Sequence, residues 1–229
     1  MSPTSPSKNF WNRAARENAA WHVATGYTRE SDEFFASGVR DVDEFLVFAG
    51  LSVRPTDTLL EIGSGVGRMT RHLASFAGRV IATDVSGEML SRAKAHLAGL
   101  DNVDYVEVSG DGDLPFDDAS VDAVFSYITM QHVPSASAQE RYFAEALRVT
   151  RPGGWVYIQF RRTGLVPRLL DWAGNVSHLA RGHNTLSRAW RGARVKETAL
   201  LAHATDRVSV DILPLGRRHI WVLARKSAD

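Results

Sequence analysis

The sequence predicts an α/β fold, a doubly wound and mostly parallel sheet with helices on both faces. Three observations predict it. Short apolar runs between residues 57 and 160 alternate with stretches whose apolar positions recur at helical spacing. The first run ends in a glycine-rich turn, Gly63-Ser64-Gly65-Val66-Gly67, with a helical pattern behind it. The chain has 229 residues and is 44% hydrophobic, which suits one domain with a substantial core.

Taken in order, Met1–Lys8 (MSPTSPSK) is rich in Ser and Pro, has no apolar segment behind it, and reads as a disordered start and not a secretion signal. Residues 9–54 read as N-terminal helices. Phe10 to Val23, with Trp11 and Trp21, reads as one helix. A second carries Phe34, Phe35, Val39, Val42, Phe45, Leu46 and Ala49 at helical spacing and stops near Gly50. Pro55-Thr56-Asp57 is a turn. Residues 55–229 then form the main domain. Strands are expected near 57–62, 79–83, 103–108, 121–127 and 155–160. Helices are expected near 67–77, 86–98, 136–149 and 195–205, and Arg151-Pro152-Gly153-Gly154 reads as a turn. Two strand-like runs, 208–212 and 219–224, close the chain around Pro214-Leu215-Gly216, which brings the strand total to seven. Residues 161–194 form an insert with no clear strand.

Composition narrows the function classes. Formal net charge is +1, which argues against a general nucleic-acid binder. No apolar run approaches the ~20 residues a membrane span needs. The chain has no cysteine, which excludes disulfides, Cys-ligated zinc and any reaction through a cysteine nucleophile, and fits a cytoplasmic protein. The eight histidines are scattered, without acids at ligand spacing, so no metal site is expected.

Residues 59–67, Leu-Leu-Glu-Ile-Gly-Ser-Gly-Val-Gly, carry the chemistry. A strand, a glycine-rich turn and a helix in that order make a nucleotide-type cofactor site, with helix N–H groups expected to face the ligand. A dinucleotide fingerprint would need a third glycine at position 68, which is Arg68, so a nicotinamide oxidoreductase is disfavoured. The pattern is E-x-G-x-G-x-G instead. Glu61 at the strand end would repel a pyrophosphate and suits a cationic ligand. S-adenosylmethionine (SAM) carries a sulfonium and an ammonium and no phosphate. Asp84 ends the second strand, where an acid can accept hydrogen bonds from ribose hydroxyls. A helix cap at Asp84 or Ser86 and a core Met89 explain the same letters without a ligand.

These residues resemble motif I of the class I SAM-dependent methyltransferases, and residues 80–90 (Val-Ile-Ala-Thr-Asp-Val-Ser-Gly-Glu-Met-Leu) resemble the family's second motif. The resemblance covers residues 55–160 and extends more weakly through the terminal hairpin. It implies a Rossmann-like, seven-stranded sheet with an antiparallel C-terminal strand. It implies SAM as cofactor and S-adenosylhomocysteine as product. It also implies a cofactor group of Glu61, Gly63, Ser64, Gly65, Gly67, Arg68, Asp84, Val85 and Met89, with Val85 or Met89 on adenine. From the segment Ser109–Phe116 it assigns Asp111 and Gly112 to the adenine edge, with Asp113 as the alternative; a plain Asp-Gly turn explains the same letters.

Strand four ends in Ser126-Tyr127-Ile128-Thr129, followed by Met130-Gln131-His132-Val133. In a doubly wound sheet, ligands sit outside the carboxyl ends of the strands, which places Tyr127 near the methyl end of the cofactor. The Asn/Asp-Pro-Pro-Tyr tetrad of nucleic-acid amino methyltransferases is absent, and the order resembles small-molecule enzymes. Methyl transfer is an in-line displacement that demands alignment and exclusion of water. His132 is the candidate base, with packing or capping as its alternative role, and Tyr127, Thr129 and Gln131 could position an acceptor. Residues 151–196 hold nine basic side chains against one acid, Asp171, with Leu165, Leu169, Trp172, Ala173 and Val176 at helical spacing. In the family, N-terminal helices and the segment after strand five cover the acceptor site. The insert therefore reads as a lid for an anionic, partly apolar acceptor, as a membrane-surface contact, as an RNA contact, or as a solvated basic face.

Overall fold

The structure is a computed structural model and describes residues 6–163, 169, 172, 176, 188–216 and 218–229. The strands form one seven-stranded sheet in the order β3-β2-β1-β4-β5-β7-β6. The chain divides into two compact units. One holds the residues up to Ser109 together with Val121–Phe125, and the other holds Gly110–Ser120 and Ser126–Asp229.

The first unit opens with α1 (Pro6–Val23) and α2 (Asp32–Ala49). Pro6 starts α1, where its missing N–H would have had no partner in any case. Residues 6–8 are therefore helical, although their composition led to a disordered start; residues 1–5 lie outside the described residues. The single helix expected over 10–23 is broken at Asn18, which is extended at φ −168° and ψ 86°. Its Oδ1 accepts the Trp21 N–H at 3.0 Å and caps a second short segment. Ser31 caps α2 through the Phe34 N–H, and Gly50 ends it in the left-handed conformation. Phe34, Phe35, Val42, Phe45, Leu46 and Ala49 are buried, as their spacing predicted, while Val39 is only half-buried.

Strand β1 (Thr58–Ile62) lies parallel between β2 (Arg79–Asp84) and β4 (Val121–Ser126), and β2 pairs in parallel with β3 (Val103–Glu107). The chain steps from β1 outward to β2 and β3 and then returns to β4 on the other side of β1. This is the strand-order reversal where open α/β sheets bind ligands. Strand β1 is buried from Leu59 onward, and β2 from Val80 to Thr83, which is why both read as near-continuous apolar runs. Helix α3 is one turn, Thr70–Leu73, instead of the 67–77 predicted. Gly63, Gly65 and Gly67 all have positive φ, so helical geometry cannot start before the last of them has passed. Helix α4 (Gly87–His96) is capped by Ser86 and buries Met89, Leu90 and Ala93.

In the second unit, α5 (Ala136–Val149) has the bounds its periodicity predicted and is capped by Ser135. Strand β5 (Thr150–Arg161) absorbs Arg151–Gly154, expected as a turn, into its extended start. The short helices α6 (Arg188–Arg191) and α7 (Glu197–Leu201) precede the hairpin of β6 (Val208–Leu215) and β7 (His219–Lys226). Strand β7 is antiparallel to both β5 and β6. Strand β6 runs through Pro214, expected in the turn. It is an edge strand, where a missing N–H costs no ladder bond. Of the insert 161–194, much lies outside the described residues. Leu169, Trp172 and Val176 are helical and exposed.

Candidate functional site

In the first unit, the end of β1 gathers two acids and a turn in which four amides, those of Gly63, Ser64, Gly65 and Gly67, are already engaged. The Gly63 and Ser64 N–H groups donate to the Thr83 carbonyl at 2.7 and 2.9 Å, and the Gly67 N–H donates to the Ser64 carbonyl at 3.0 Å. The Gly65 N–H donates to Asp84 Oδ2 at 3.0 Å, while the Ser86 N–H donates to Asp84 Oδ1 at 2.9 Å. The N–H groups of Gly63, Ser64, Gly65 and Gly67 therefore already have partners within the protein. The following helix is a single turn, and these turn amides bond to a strand carbonyl, the turn itself and a carboxylate. A phosphate would have to displace those bonds and would meet two acids.

Glu61 is 4% exposed. Its Oε2 accepts the Thr70 hydroxyl at 2.5 Å, and its carbonyl accepts the Thr83 hydroxyl at 2.9 Å. Burial pushes its carboxyl up to about 7, against the Thr70 hydrogen bond and the Arg68 charge, which both favour the ionised form. Burial likewise raises Asp84, to about 6, although the Ser86, Gly65 and Val85 N–H groups favour its charge. Asp84 remains partly open to solvent, so its charge costs less than that of Glu61. Two carboxyls raised by burial beside one turn favour a cationic or hydroxyl-rich ligand. Ser64 Oγ is buried and has no hydrogen-bond partner among the described residues. A ligand with donors and acceptors at that point would satisfy it.

The N-terminal helices pack onto this turn. A Cβ on Gly65 (φ +55°) would lie 2.9 Å from Val23 Cγ2. Asn12 Oδ1 accepts the Ser86 hydroxyl at 2.7 Å and the Glu88 N–H at 3.3 Å, which ties α1 to the start of α4. Val66 and Met89 share a core cluster with Ala15, Ala19, Ala20, Phe34 and Phe35.

Two residues of the predicted cofactor group have protein partners in this packing. Met89, 1% exposed, packs in the core cluster with residues of α1 and α2, the core role weighed beside an adenine contact. Arg68 turns toward α2, where Nη1 donates to Ser37 Oγ at 3.0 Å and to Asp41 Oδ2 at 2.7 Å, and its carbonyl packs against Gly38, where a Cβ would collide. Val85 is half-buried. Sequence reasoning missed Thr70, Thr83, Asn12 and Val23. The buried polar Thr83 inside an apolar strand was the one available signal; the others act through long-range contacts that leave no local pattern.

In the second unit, Asp111 Oδ1 accepts the Asp113 N–H at 3.2 Å, and Asp113 pairs with Arg141, so this stretch does form an Asx-type turn. Gly112 is buried against the Ala138 carbonyl and Arg141. Tyr127 is half-buried and continues a stack in which Trp221 lies 5.7 Å from it and 4.1 Å from Tyr157. Ile128, the next residue, holds φ +59°, a strained conformation for a β-branched side chain. His132 is 8% exposed, and both ring nitrogens have partners: Nδ1 lies 2.6 Å from the Trp190 carbonyl and Nε2 lies 3.0 Å from Gln131 Nε2. Both ring nitrogens thus lie at hydrogen-bond distance from protein groups, the packing role weighed beside that of a base.

A family model described as "Methyltransferase domain" matches residues 60–158. The ubiquinone/menaquinone biosynthesis C-methyltransferase of Brucella anthropi is 31% identical over 145 residues, 60% of this chain and 54% of that protein. The malonyl-[acyl-carrier protein] O-methyltransferase of Serratia marcescens is 32% identical over 155 residues, 65% of this chain and 56% of that protein. The chain thus spans about half the length of these curated relatives. The geranyl diphosphate C-methyltransferase structure from Streptomyces coelicolor superposes with a TM-score of 0.65 over 99% of this chain and 100% of that one, at 16% identity, a likeness of fold.

Proposed function

We propose that this chain, whose residues 60–158 match a methyltransferase-domain model, is a class I SAM-dependent methyltransferase and transfers a methyl group from SAM to a small-molecule acceptor. The observation that carries the cofactor reading is the pair Glu61 and Asp84, two carboxyls raised by burial on either side of a turn in which the Gly63, Ser64, Gly65 and Gly67 amides are already engaged. The residues present fit SAM. Glu61, ionised, takes an ammonium; Asp84 accepts ribose hydroxyls while two N–H groups hold it in place. Ser64 Oγ supplies a buried hydroxyl, and Val85 an apolar edge for adenine. Gly63, Gly65 and Gly67 allow the close turn. For Asp111, Gly112 and Tyr127 the family resemblance carries the assignment. The similar geranyl diphosphate enzyme was solved with S-adenosyl-L-homocysteine.

Bound SAM supplies an electrophilic methyl group on a sulfonium. The chain's own residues bind and orient it and keep water out, which is most of what an in-line displacement requires. His132 takes no proton in this scheme. The names of the relatives span carbon and oxygen acceptors, so the proposal commits to a small molecule and not to an atom. A cytoplasmic location belongs to the proposal and rests on the absence of cysteine.

Two measurements test this. Calorimetry with S-adenosylhomocysteine should show binding; none at millimolar concentration would refute the cofactor assignment. Mass spectrometry of a cell extract incubated with the protein and methyl-labelled SAM should reveal a labelled small molecule. Binding without any transfer would favour a non-catalytic SAM-binding protein, and label in RNA would favour an RNA-directed enzyme.

A second reading concerns the insert. Leu169, Trp172 and Val176 are exposed at helical spacing within the basic stretch, which favours contact with an anionic membrane surface. Among the described residues no helix is long and apolar enough to cross a membrane. Failure to co-sediment with phosphatidylglycerol vesicles at low salt would remove this reading.

A further inference from the structure

The turn that follows β4 is strained, and a polarised chain of hydrogen bonds holds it. His132 Nδ1 faces the Trp190 carbonyl at 2.6 Å. A carbonyl can only accept, so Nδ1 carries the proton. In the neutral ring Nε2 is then bare, and the Gln131 amide nitrogen, 3.0 Å away, donates to it. That orientation leaves Gln131 Oε1 to accept from His219 Nε2–H at 3.0 Å. One direction of donation runs through the set, from His219 to Gln131, to His132, to the Trp190 carbonyl. It fixes the tautomer of both histidines.

The same few residues are gripped from other sides. The Ala193 N–H donates to the Val133 carbonyl at 2.8 Å. Arg161, paired across the sheet with His219, donates through Nη1 to the Arg191 carbonyl. Gly192 (φ +55°) abuts the Gln131 carbonyl, where a Cβ would collide. Residues 190–193 are thereby fastened to residues 131–133. On the other side of the turn, Ile128 sits at φ +59°, and the Thr129 hydroxyl donates back to the Tyr127 carbonyl at 3.2 Å. Strain of that kind persists where surrounding contacts over-determine the backbone, and it concentrates where ligands are handled.

We propose that Gln131 and His132 are positioning residues: the chain from His219 to the Trp190 carbonyl latches the C-terminal root of the insert onto the turn after β4 and so fixes the conformation of that turn. This rests on the methyl-transfer reading for what the turn receives, and on the geometry alone for the latch. His132 acts through Trp190 and not by removing a proton from an acceptor.

The discriminating pair is His132→Asn and His132→Phe. Asparagine places an N–H donor near the position of Nδ1 but provides no base; phenylalanine provides neither. Long-range proton–nitrogen NMR of the wild-type protein should find His132 protonated at Nδ1 and bare at Nε2; the opposite tautomer would overturn the latch. Amide exchange at Ala193 should be about tenfold faster in His132→Phe, the factor expected for one net hydrogen bond, and within about twofold of wild type in His132→Asn. Unchanged exchange in the Phe variant would also overturn it. In the labelled-SAM extract assay, His132→Asn should keep transfer that His132→Phe loses, with S-adenosylhomocysteine affinity unchanged in both. Equal loss of transfer in both variants, with Ala193 still protected in the Asn variant, would restore the base and refute the positioning role. If wild-type protein transfers no label, the functional reading fails while tautomer and exchange still decide the latch.

Discussion

Replacing Glu61 by Gln should stabilise the ligand-free protein at alkaline pH and weaken cofactor binding at the same time. The side chain is 4% exposed, and its carboxyl is raised from 4.5 to about 7. A carboxyl raised in the folded state holds its proton more tightly there than in the unfolded chain. Its contribution to stability is therefore fully present below about pH 4.5 and is lost as pH rises through about 7. Integrating those two values gives a loss of roughly 3 kcal/mol by pH 8 and just under about 1 kcal/mol at pH 5. Glutamine carries no charge and shows no such loss. Its amide brings its own cost, because a new N–H must find an acceptor beside Thr70, but that cost does not depend on pH. The decisive quantity is thus the change in the stability gap between variant and wild type, which should grow by about 2.5 kcal/mol in favour of the variant from pH 5 to pH 8. For a chain of this size that is a relative shift in Tm of about 5–10 °C. Urea unfolding of both proteins at the two pH values measures the gap. A gap that stays constant would refute the burial argument.

Three further outcomes are expected. Wild-type affinity for S-adenosylhomocysteine, whose ammonium selects the ionised Glu61, should rise about tenfold from pH 6 to pH 8, as the ionised fraction passes its midpoint near 7; a flat calorimetric profile would count against the ammonium assignment. Gly65→Ala should cost about 1–3 kcal/mol, because φ is +55° and the new Cβ would lie 2.9 Å from Val23; urea unfolding indistinguishable from wild type would show that α1 does not press on this turn. Ile128→Asn should gain about 1 kcal/mol, since asparagine tolerates the positive φ of 59° that isoleucine resists; a loss of stability would mean that the isoleucine side chain contributes more packing than its backbone costs.

Most of the fold was legible because its signals are local. The apolar runs of β1 and β2, the cap at Ser86, and the periodicity of α5 each lie within a few residues of what they specify. The errors have physical causes of the same kind. Periodicity after Gly67 suggested a long helix, but three successive positive-φ glycines delay it to a single turn. Pro214 looked like a turn residue until its strand proved to be at the sheet edge. Asn18 breaks α1 through its own side chain, a competition that hydrophobic spacing does not register.

The sequence by itself determined the alternation of strands and helices, the glycine-rich turn behind Glu61, and the acid at the end of β2. Those are the parts that point to a cationic, ribose-bearing cofactor. Tertiary structure decided what each of those groups has left to offer. It engaged the turn amides with Thr83 and Asp84, sent Arg68 to Asp41 on α2, placed Met89 beneath α1, and closed both nitrogens of His132. The reason is one of range. Strand, helix and turn preferences are set by neighbours in the chain, whereas the burial of a carboxyl and the occupancy of a lone pair are set by residues far along it. Trp190, the partner of His132, is 58 positions away, and Gln131 and His219 are separated by 88.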